Sequence, residues 1–339
     1  MVPGLPSVPP AATTTMTTAE TLIKEGRVEE SLAALEAQVR AAPGDFKLRV
    51  FLFQVLSVLG RWERASGQLE VAAKMNPDAN IMAQVCRQAI LGEGFRTDVF
   101  SGKRTPLLLG EPEPWVQKMI AALSLDGQGQ TEGAASLRAE AMDEAPASPG
   151  SIKFTATATG PESAAFEWIA DADPRLGPML EAMVGGKYYW IPWNRIRAVR
   201  FDPPTDLRDI IWAHAEFLWT TGATGHGLVP VRYPRTTDNA REGALLMSRQ
   251  TEWRADAAGT DLPVGQRLFA TEFGEFGLLG IKTITIGEGE AEFPSDREAA
   301  ANVKAAMQTL EQSGLGKGGG PPIVPGSAPP AGSGSNTHG

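Results

Sequence analysis

The chain has 339 residues, of which 42% are hydrophobic and 21% charged, so it is long enough to build two hydrophobic cores. Its net charge of -9 and isoelectric point near 5.1 argue against nucleic acid as a partner, because contact with phosphates needs clustered lysine and arginine. The single cysteine, Cys86, excludes an internal disulfide and a cysteine-based zinc cluster.

Residues 1–16 are predicted to be a disordered leader. They lack the basic start and the long apolar stretch of a signal peptide. The most apolar run, residues 48–59, contains Arg49 and Gln54 and is too short to span a bilayer. We therefore expect a cytoplasmic protein that does not insert into membranes.

Residues 17–147 are predicted to form a helical repeat domain of the tetratricopeptide type. Gly26 and Gly60 are 34 residues apart, as are Pro43 and Pro77, and 34 residues is the tetratricopeptide period. Each glycine suits the turn between two paired helices, where its freedom in φ helps. Each proline follows the second helix of its pair, which it prevents from continuing.

A third repeat unit is predicted further along the chain. Gly129 and Pro146 have the same 17-residue spacing as Gly26 and Pro43. Between the second and third units, residues 81–100 are predicted to form an additional helix. Three units meet the minimum of about three that a stable repeat stack needs. Such a stack either presents a concave surface that binds a helix or a peptide, or is a plain helical bundle without a binding role.

Residues 148–164 are rich in Pro, Gly, Ser, Thr and Ala, and they are predicted to be a linker. Residues 165–286 are predicted to form an α+β domain with a mostly antiparallel sheet, because strand-like segments follow one another through short connections. Asp173 is predicted to cap a helix at 174–184, which Gly185-Gly186 would end. Strands are expected at 166–169, 187–193, 195–201, 227–233, 251–254, 266–271 and 277–286, a strand or mixed segment at 209–219, and a short helix at 239–247.

Residues 287–339 are predicted to be a tail outside the two domains. Residues 295–312 resemble an exposed, charged helix with few large apolar side chains. Residues 314–339 are rich in Gly, Pro and Ser and are expected to be disordered.

No stretch of the chain has the spacing of a catalytic motif. Asp171 and Asp173 could form a carboxylate pair for a metal or for acid–base catalysis, but a capping role for Asp173 explains them better. His214 and Glu216 have the H-x-E spacing of zinc deaminases, which also requires a downstream P-C-x-x-C that the chain lacks. We therefore predict no catalytic residue, no metal and no cofactor.

Long motifs in both halves of the chain resemble one protein family. Two of them lie in the second half, FEWIADADPRLGP at 166–178 and YYWIP at 188–192. The others are FLFQ at 51–54, GRWERA at 60–65, LGEPEPW at 109–115, PTDLRD at 204–209, RYP at 232–234 and GQRL at 265–268. Together they resemble the ImpE/SciE/TagJ accessory proteins of bacterial type VI secretion, from about residue 17 to residue 286.

The resemblance implies a non-catalytic adaptor with an α-helical repeat domain joined to an α+β domain. It further implies binding to the N-terminal helix of the small contractile-sheath subunit, TssB, and a role in sheath assembly or in sheath recycling by the unfoldase ClpV. The leader, residues 151–163 and the tail depart from the family pattern. Two alternatives remain open: a scaffold with a hydrolase or ligand site in the α+β domain, and an assembly protein that acts by self-association.

Candidate partner contacts are expected mainly in the helical half, although the sequence does not show which domain binds the partner helix. Most aromatic side chains around the first two repeat units are expected to be core, with one or two facing a groove. On the predicted strand 187–193, Tyr189 points away from its neighbours Tyr188 and Trp190. The candidates are Phe46, Phe51, Gln54, Arg61, Trp62 and Tyr189.

Overall fold

The computed structural model describes residues 18–155, 162–256 and 259–294. The predicted leader, the predicted helix at 295–312 and the segment 314–339 lie outside these residues.

The first half of the chain is a stack of helix pairs, as the repeat pattern predicts. The paired helices are α1 (Thr18–Lys24) with α2 (Val28–Ala41), α3 (Phe46–Val58) with α4 (Trp62–Met75), and α6 (Pro114–Gly127) with α7 (Thr131–Glu144). The turn glycines Gly26, Gly60 and Gly129 have φ of 77°, 68° and 75°. The additional predicted helix is α5 (Asn80–Phe100), the longest one in the described residues.

The second half is built around a mixed but mostly antiparallel sheet, which confirms the predicted α+β class. Its nine strands within the described residues run in the order β1-β6-β5-β9-β8-β7-β14-β2-β3, and only the β1–β6 pair is parallel. These strands are β1 (Leu107–Leu108), β2 (Gly150–Phe154), β3 (Ser163–Phe166), β5 (Met179–Val184), β6 (Lys187–Pro192), β7 (Ile196–Phe201), β8 (Trp212–Trp219), β9 (Thr224–Pro230) and β14 (Ile281–Ile286).

Two smaller sheets and two short helices complete the second half. One sheet has the order β13-β12-β4 and the other is the hairpin β10-β11. Their strands are β4 (Ala170–Asp171), β10 (Thr251–Ala255), β11 (Asp261–Gly265), β12 (Leu268–Thr271) and β13 (Gly274–Gly277). The predicted helix at 239–247 is replaced by two helical turns, α8 (Thr236–Asn239) and α9 (Gly243–Leu246).

The predicted helix at 174–184 is wrong. Residues 179–184 form strand β5, which joins β6 in a hairpin through Gly185 and Gly186, with φ of 55° and 74°. All six residues of β5 are buried because the strand lies between β6 and β9 under the helices. Strand β5 is apolar except for Glu181, and its apolar residues also fit helical spacing. The Gly-Gly between β5 and the next apolar run instead indicates a hairpin.

The interpretation of residues 148–164 as a linker does not hold for two parts of that segment. Residues 150–154 form β2, which pairs with β14, and β3 begins at Ser163. Ile152 is fully buried in the sheet. The many small and hydroxyl side chains of this segment are typical of loops, which is why its composition predicted a linker. The strand predicted at 166–169 lies instead at 163–166, and the other predicted strands occur with shifted ends.

The helices cover one face of the large sheet and share a continuous core with it. Leu56 from α3 belongs to the same buried cluster as Trp190 and Trp212 from the sheet. The opposite face of the sheet packs under the β4–β12–β13 layer, where Phe269 meets Trp193 edge to face with ring centroids 5.4 Å apart. Within the described residues, no helix combines the length and the apolar character that a membrane span requires.

Candidate functional site

A buried ion network joins helix α5 to the sheet. Glu181, on β5, is fully buried and accepts hydrogen bonds from Arg96 of α5 at 2.6 Å (Nε) and 2.5 Å (Nη2). Its carboxylate also accepts from Arg267 Nη2 and from the Tyr188 hydroxyl. Two guanidinium groups therefore surround one carboxylate in a place without solvent, where removing either partner would leave an uncompensated charge.

The network extends from Glu181 into both halves of the chain. Arg267 also binds the carboxylate of Asp171 and donates to the Pro230 carbonyl at 2.8 Å. Arg96 donates to the carbonyl of Arg232 at 2.8 Å, and the guanidinium of Arg232 donates to the Val58 carbonyl at the end of α3 at 2.5 Å. Helices α3 and α5 are thereby joined to the sheet by buried hydrogen bonds.

The surroundings shift the pKa values of the two buried carboxylates in opposite directions. Burial raises the pKa of Asp171 to about 7, against the opposing attraction of Arg267. Burial acts on Glu181 as well, but Arg96 and Arg267 outweigh it and hold the pKa of Glu181 below its usual value. Between about pH 5 and 8, therefore, Asp171 titrates in the folded protein and Glu181 stays charged.

The free energy of unfolding is expected to fall as the pH rises from 5 to 8. An acid with a raised folded-state pKa binds its proton more tightly in the folded state, so its contribution is largest below about pH 4 and is lost as the pH passes 7. Urea unfolding at pH 5, 6, 7 and 8 measures this slope, and Asp171→Asn, which cannot titrate, should flatten it. Equal slopes for the two proteins would contradict the assignment to Asp171.

The aspartates and the histidine that are catalytic candidates do not line a common cavity among the described pockets. Asp173 is fully buried, where its carboxylate binds the Arg175 side chain and caps a turn through the Arg175 N–H at 3.0 Å. His214 is exposed on β8 and lines a separate cavity of about 220 Å³ with His226. Among the described residues, no three His, Cys, Asp or Glu side chains are arranged to hold a metal ion.

An apolar groove lies between the helices and a loop of the second half. We call it the α3–α5 groove; it has a volume of about 830 Å³. Its walls are one face of α3, the segment 76–82 that leads into α5, and the loop 204–210. Apolar side chains dominate its lining: Phe46, Val50, Phe51, Met82, Leu207 and Ile210. Phe46, Val50 and Gln54 follow one another at four-residue spacing, which places them along one side of α3.

The loop 204–210 has a defined shape because the carboxylate of Asp209 organises it. Asp209 Oδ2 accepts from the backbone N–H of Thr205 at 2.7 Å and of Asp206 at 3.0 Å, and from the Thr205 hydroxyl at 2.9 Å. Partial burial opposes ionisation, but these bonds lower the pKa of Asp209 below its usual value. Leu207 and Ile210 are consequently held against the groove.

The structure brings three of the six candidate partner residues together. Phe46, Phe51 and Gln54 line the α3–α5 groove. Arg61 lies outside it and binds Glu29 on the surface at 2.6 Å. Trp62 packs against Trp212 with ring centroids 5.7 Å apart, and Tyr189 is buried in the sheet core.

The sequence reasoning missed Val50 on α3 and the groove residues that come from other elements, which are Met82, Leu207 and Ile210. Repeat spacing identifies helices but not which loop of the other half covers them. The available signal was the PTDLRD segment at 204–209, which is a family motif without an obvious role in the sheet.

Comparisons with known proteins agree with the motifs. Residues 163–285 match the family model described as ImpE protein. The type VI secretion system accessory component TagJ of Pseudomonas aeruginosa is 42% identical over 266 residues, covering 78% of this chain and 90% of that protein. A crystal structure of protein VPA1032 from Vibrio parahaemolyticus has the same fold, with a TM-score of 0.69 and 22% identity over 80% of this chain and 98% of that one.

Proposed function

The chain belongs to the ImpE/TagJ family, and on that premise we propose that it is a cytoplasmic, non-catalytic accessory protein of type VI secretion. Its partner in this proposal is the N-terminal helix of the small sheath subunit, a TssB-like protein, which binds in the α3–α5 groove. Through that contact it influences assembly of the sheath or its recycling by ClpV.

The α3–α5 groove is the observation that supports this proposal best. A partner helix with an apolar stripe at positions i, i+3, i+4 and i+7 fits a groove whose α3 wall is lined mainly by apolar side chains. Residues 46–54 of α3 span about 12 Å at 1.5 Å per residue, which matches about two turns of such a helix. The charged side chains at the rim, Lys47 and Asp78, would fix its orientation.

The groove is also suited to binding because it needs little rearrangement. Asp45 caps α3 by accepting from the backbone N–H of Lys47 at 2.8 Å, so the wall that carries Phe46 is a regular helix. The opposite wall is held by Asp209, as described above. A site that is already ordered loses less conformational entropy when its partner binds.

Phe46→Glu is expected to weaken binding of the partner helix by at least about tenfold. The change places a charge on the apolar α3 wall of the groove. A glutamate in the first turn of α3 is compatible with the helix. Isothermal titration with a synthetic peptide of the sheath subunit's N-terminal helix measures the dissociation constant.

Arg61→Glu is the matched control for this experiment. It introduces the same residue just before α4, outside the groove, and the dissociation constant of this variant should stay within about twofold of the wild-type value. Failure of the folded wild-type protein to bind the peptide at tens of micromolar would refute the proposed function. Equal weakening by both substitutions would instead exclude the α3–α5 groove as the binding site.

A further inference from the structure

Two large aromatic side chains are exposed in adjoining loops of the sheet layer that faces away from the helices. Trp168 precedes β4 and is 41% exposed, and Phe273 is in the β12–β13 turn and is 71% exposed. The backbone N–H of Glu167 donates to the Glu272 carboxylate at 2.7 Å, which joins the two loops. Large apolar side chains exposed together in this way are typical of binding surfaces rather than of ordinary surface positions.

The two segments that carry these aromatic rings are acidic. Strand pairing places Ala170 beside Ala270, and Ala270 beside Glu275, so small side chains form a shallow floor between the strands. Glu167, Glu272 and Glu275 are exposed around this floor. Residues 162–174 and 268–280 contain neither lysine nor arginine. We call Glu167, Trp168, Glu272, Phe273 and Glu275 the acidic aromatic patch.

The patch rests on a rigid base. Phe269 on the inner side of β12 is fully buried against Trp193, and the Phe273 N–H donates to the Thr271 hydroxyl at 3.1 Å. The aromatic rings are thus presented by an ordered hairpin and an adjoining strand, which reduces the entropy lost on binding.

We propose that the acidic aromatic patch binds a cationic protein segment in which arginine lies beside apolar residues. A guanidinium group stacks on an exposed aromatic ring while its N–H groups bind neighbouring carboxylates, and an ammonium group does this less well. Nucleic acid does not fit, because its phosphates would meet carboxylates. The patch lies across the sheet from the α3–α5 groove, so this interaction is independent of the proposed function.

The test uses the full chain and a fluorescein-labelled peptide of twelve residues in which arginine and leucine alternate. Fluorescence anisotropy is expected to show binding that weakens between 50 and 500 mM salt. Trp168→Ser combined with Phe273→Ser keeps every charge and should weaken binding by at least about tenfold. Glu272→Gln combined with Glu275→Gln should weaken it as well.

Trp253→Ser is the matched control, because Trp253 is 43% exposed on β10 and lies outside the patch. It should leave the affinity within about twofold of the wild-type value. Because all three aromatic side chains are exposed, the variants should keep the wild-type circular dichroism. The proposal is overturned if the wild-type protein does not bind the peptide, if the double aromatic variant binds like wild type, or if a glutamate–leucine peptide binds equally well.

Discussion

Replacing Glu181 by glutamine is expected to lower the free energy of unfolding by about 3–5 kcal/mol. The carboxylate binds Arg96 and Arg267, and all three groups are buried. Glutamine has nearly the same size but no charge, so two guanidinium groups would remain in the interior without their shared counter-ion. Urea unfolding at pH 7, followed by tryptophan fluorescence and circular dichroism, measures the loss.

Glu36→Gln is the control for this prediction. Glu36 also binds an arginine, Arg64, but the two side chains are 30% and 51% exposed, so water replaces the lost contact. Such surface pairs contribute at most about 1 kcal/mol. Similar losses for Glu181→Gln and Glu36→Gln would show that the buried network does not hold the helices on the sheet.

Gly243→Ala is expected to destabilise the protein by about 3 kcal/mol, at the upper end of the range for overpacking. A methyl group at this position would lie 1.8 Å from the carbonyl oxygen of Gly26. The nearest atoms that the methyl group would meet are all backbone atoms of Gly26, so the turn between α1 and α2 would have to move away from α9. That movement would also strain the hydrogen bond from Arg249 to the Lys24 carbonyl, 3.0 Å long. The loss is again measured by urea unfolding.

Gly67→Ala, measured in the same experiment, is expected to raise the free energy of unfolding. Gly67 lies inside α4, and a methyl group there would meet no atom within 4 Å. Alanine in place of glycine in an exposed helix should stabilise by about 0.5–1 kcal/mol. If both alanine variants changed stability equally, the close approach of Gly26 and Gly243 would not be a real constraint on the fold.

Features encoded by neighbouring residues could be predicted from the sequence, and the helix pairs show this best. The turn glycine and the closing proline of each pair are local signals, and the small residues Ser31, Ala65 and Ala134, each five positions after its glycine, are fully buried. Strand β5 could not be identified in this way, because its burial depends on β9, and the two strands pair through Met183 and Leu228. The residues of β5 do not alternate between buried and exposed positions, so they lack the two-residue period that marks a strand.

The candidate site was predictable only in part for the same reason. The α3 side of the groove follows from the helical pattern, which identified Phe46, Phe51 and Gln54. The opposite wall comes from residues 204–210, which no local pattern connects to α3. The ion network was likewise hidden, because Arg96 and Glu181 are 85 residues apart in the sequence.

Hydrogen–deuterium exchange of the full chain, with and without the small sheath subunit, tests most directly whether the α3–α5 groove is the partner site. Amide groups of residues 46–54 and of the loop 204–210 should exchange more slowly in the complex, while those of the acidic aromatic patch remain unchanged. Slower exchange confined to other elements, with residues 46–54 and 204–210 unaffected in a saturated complex, would contradict binding in the groove.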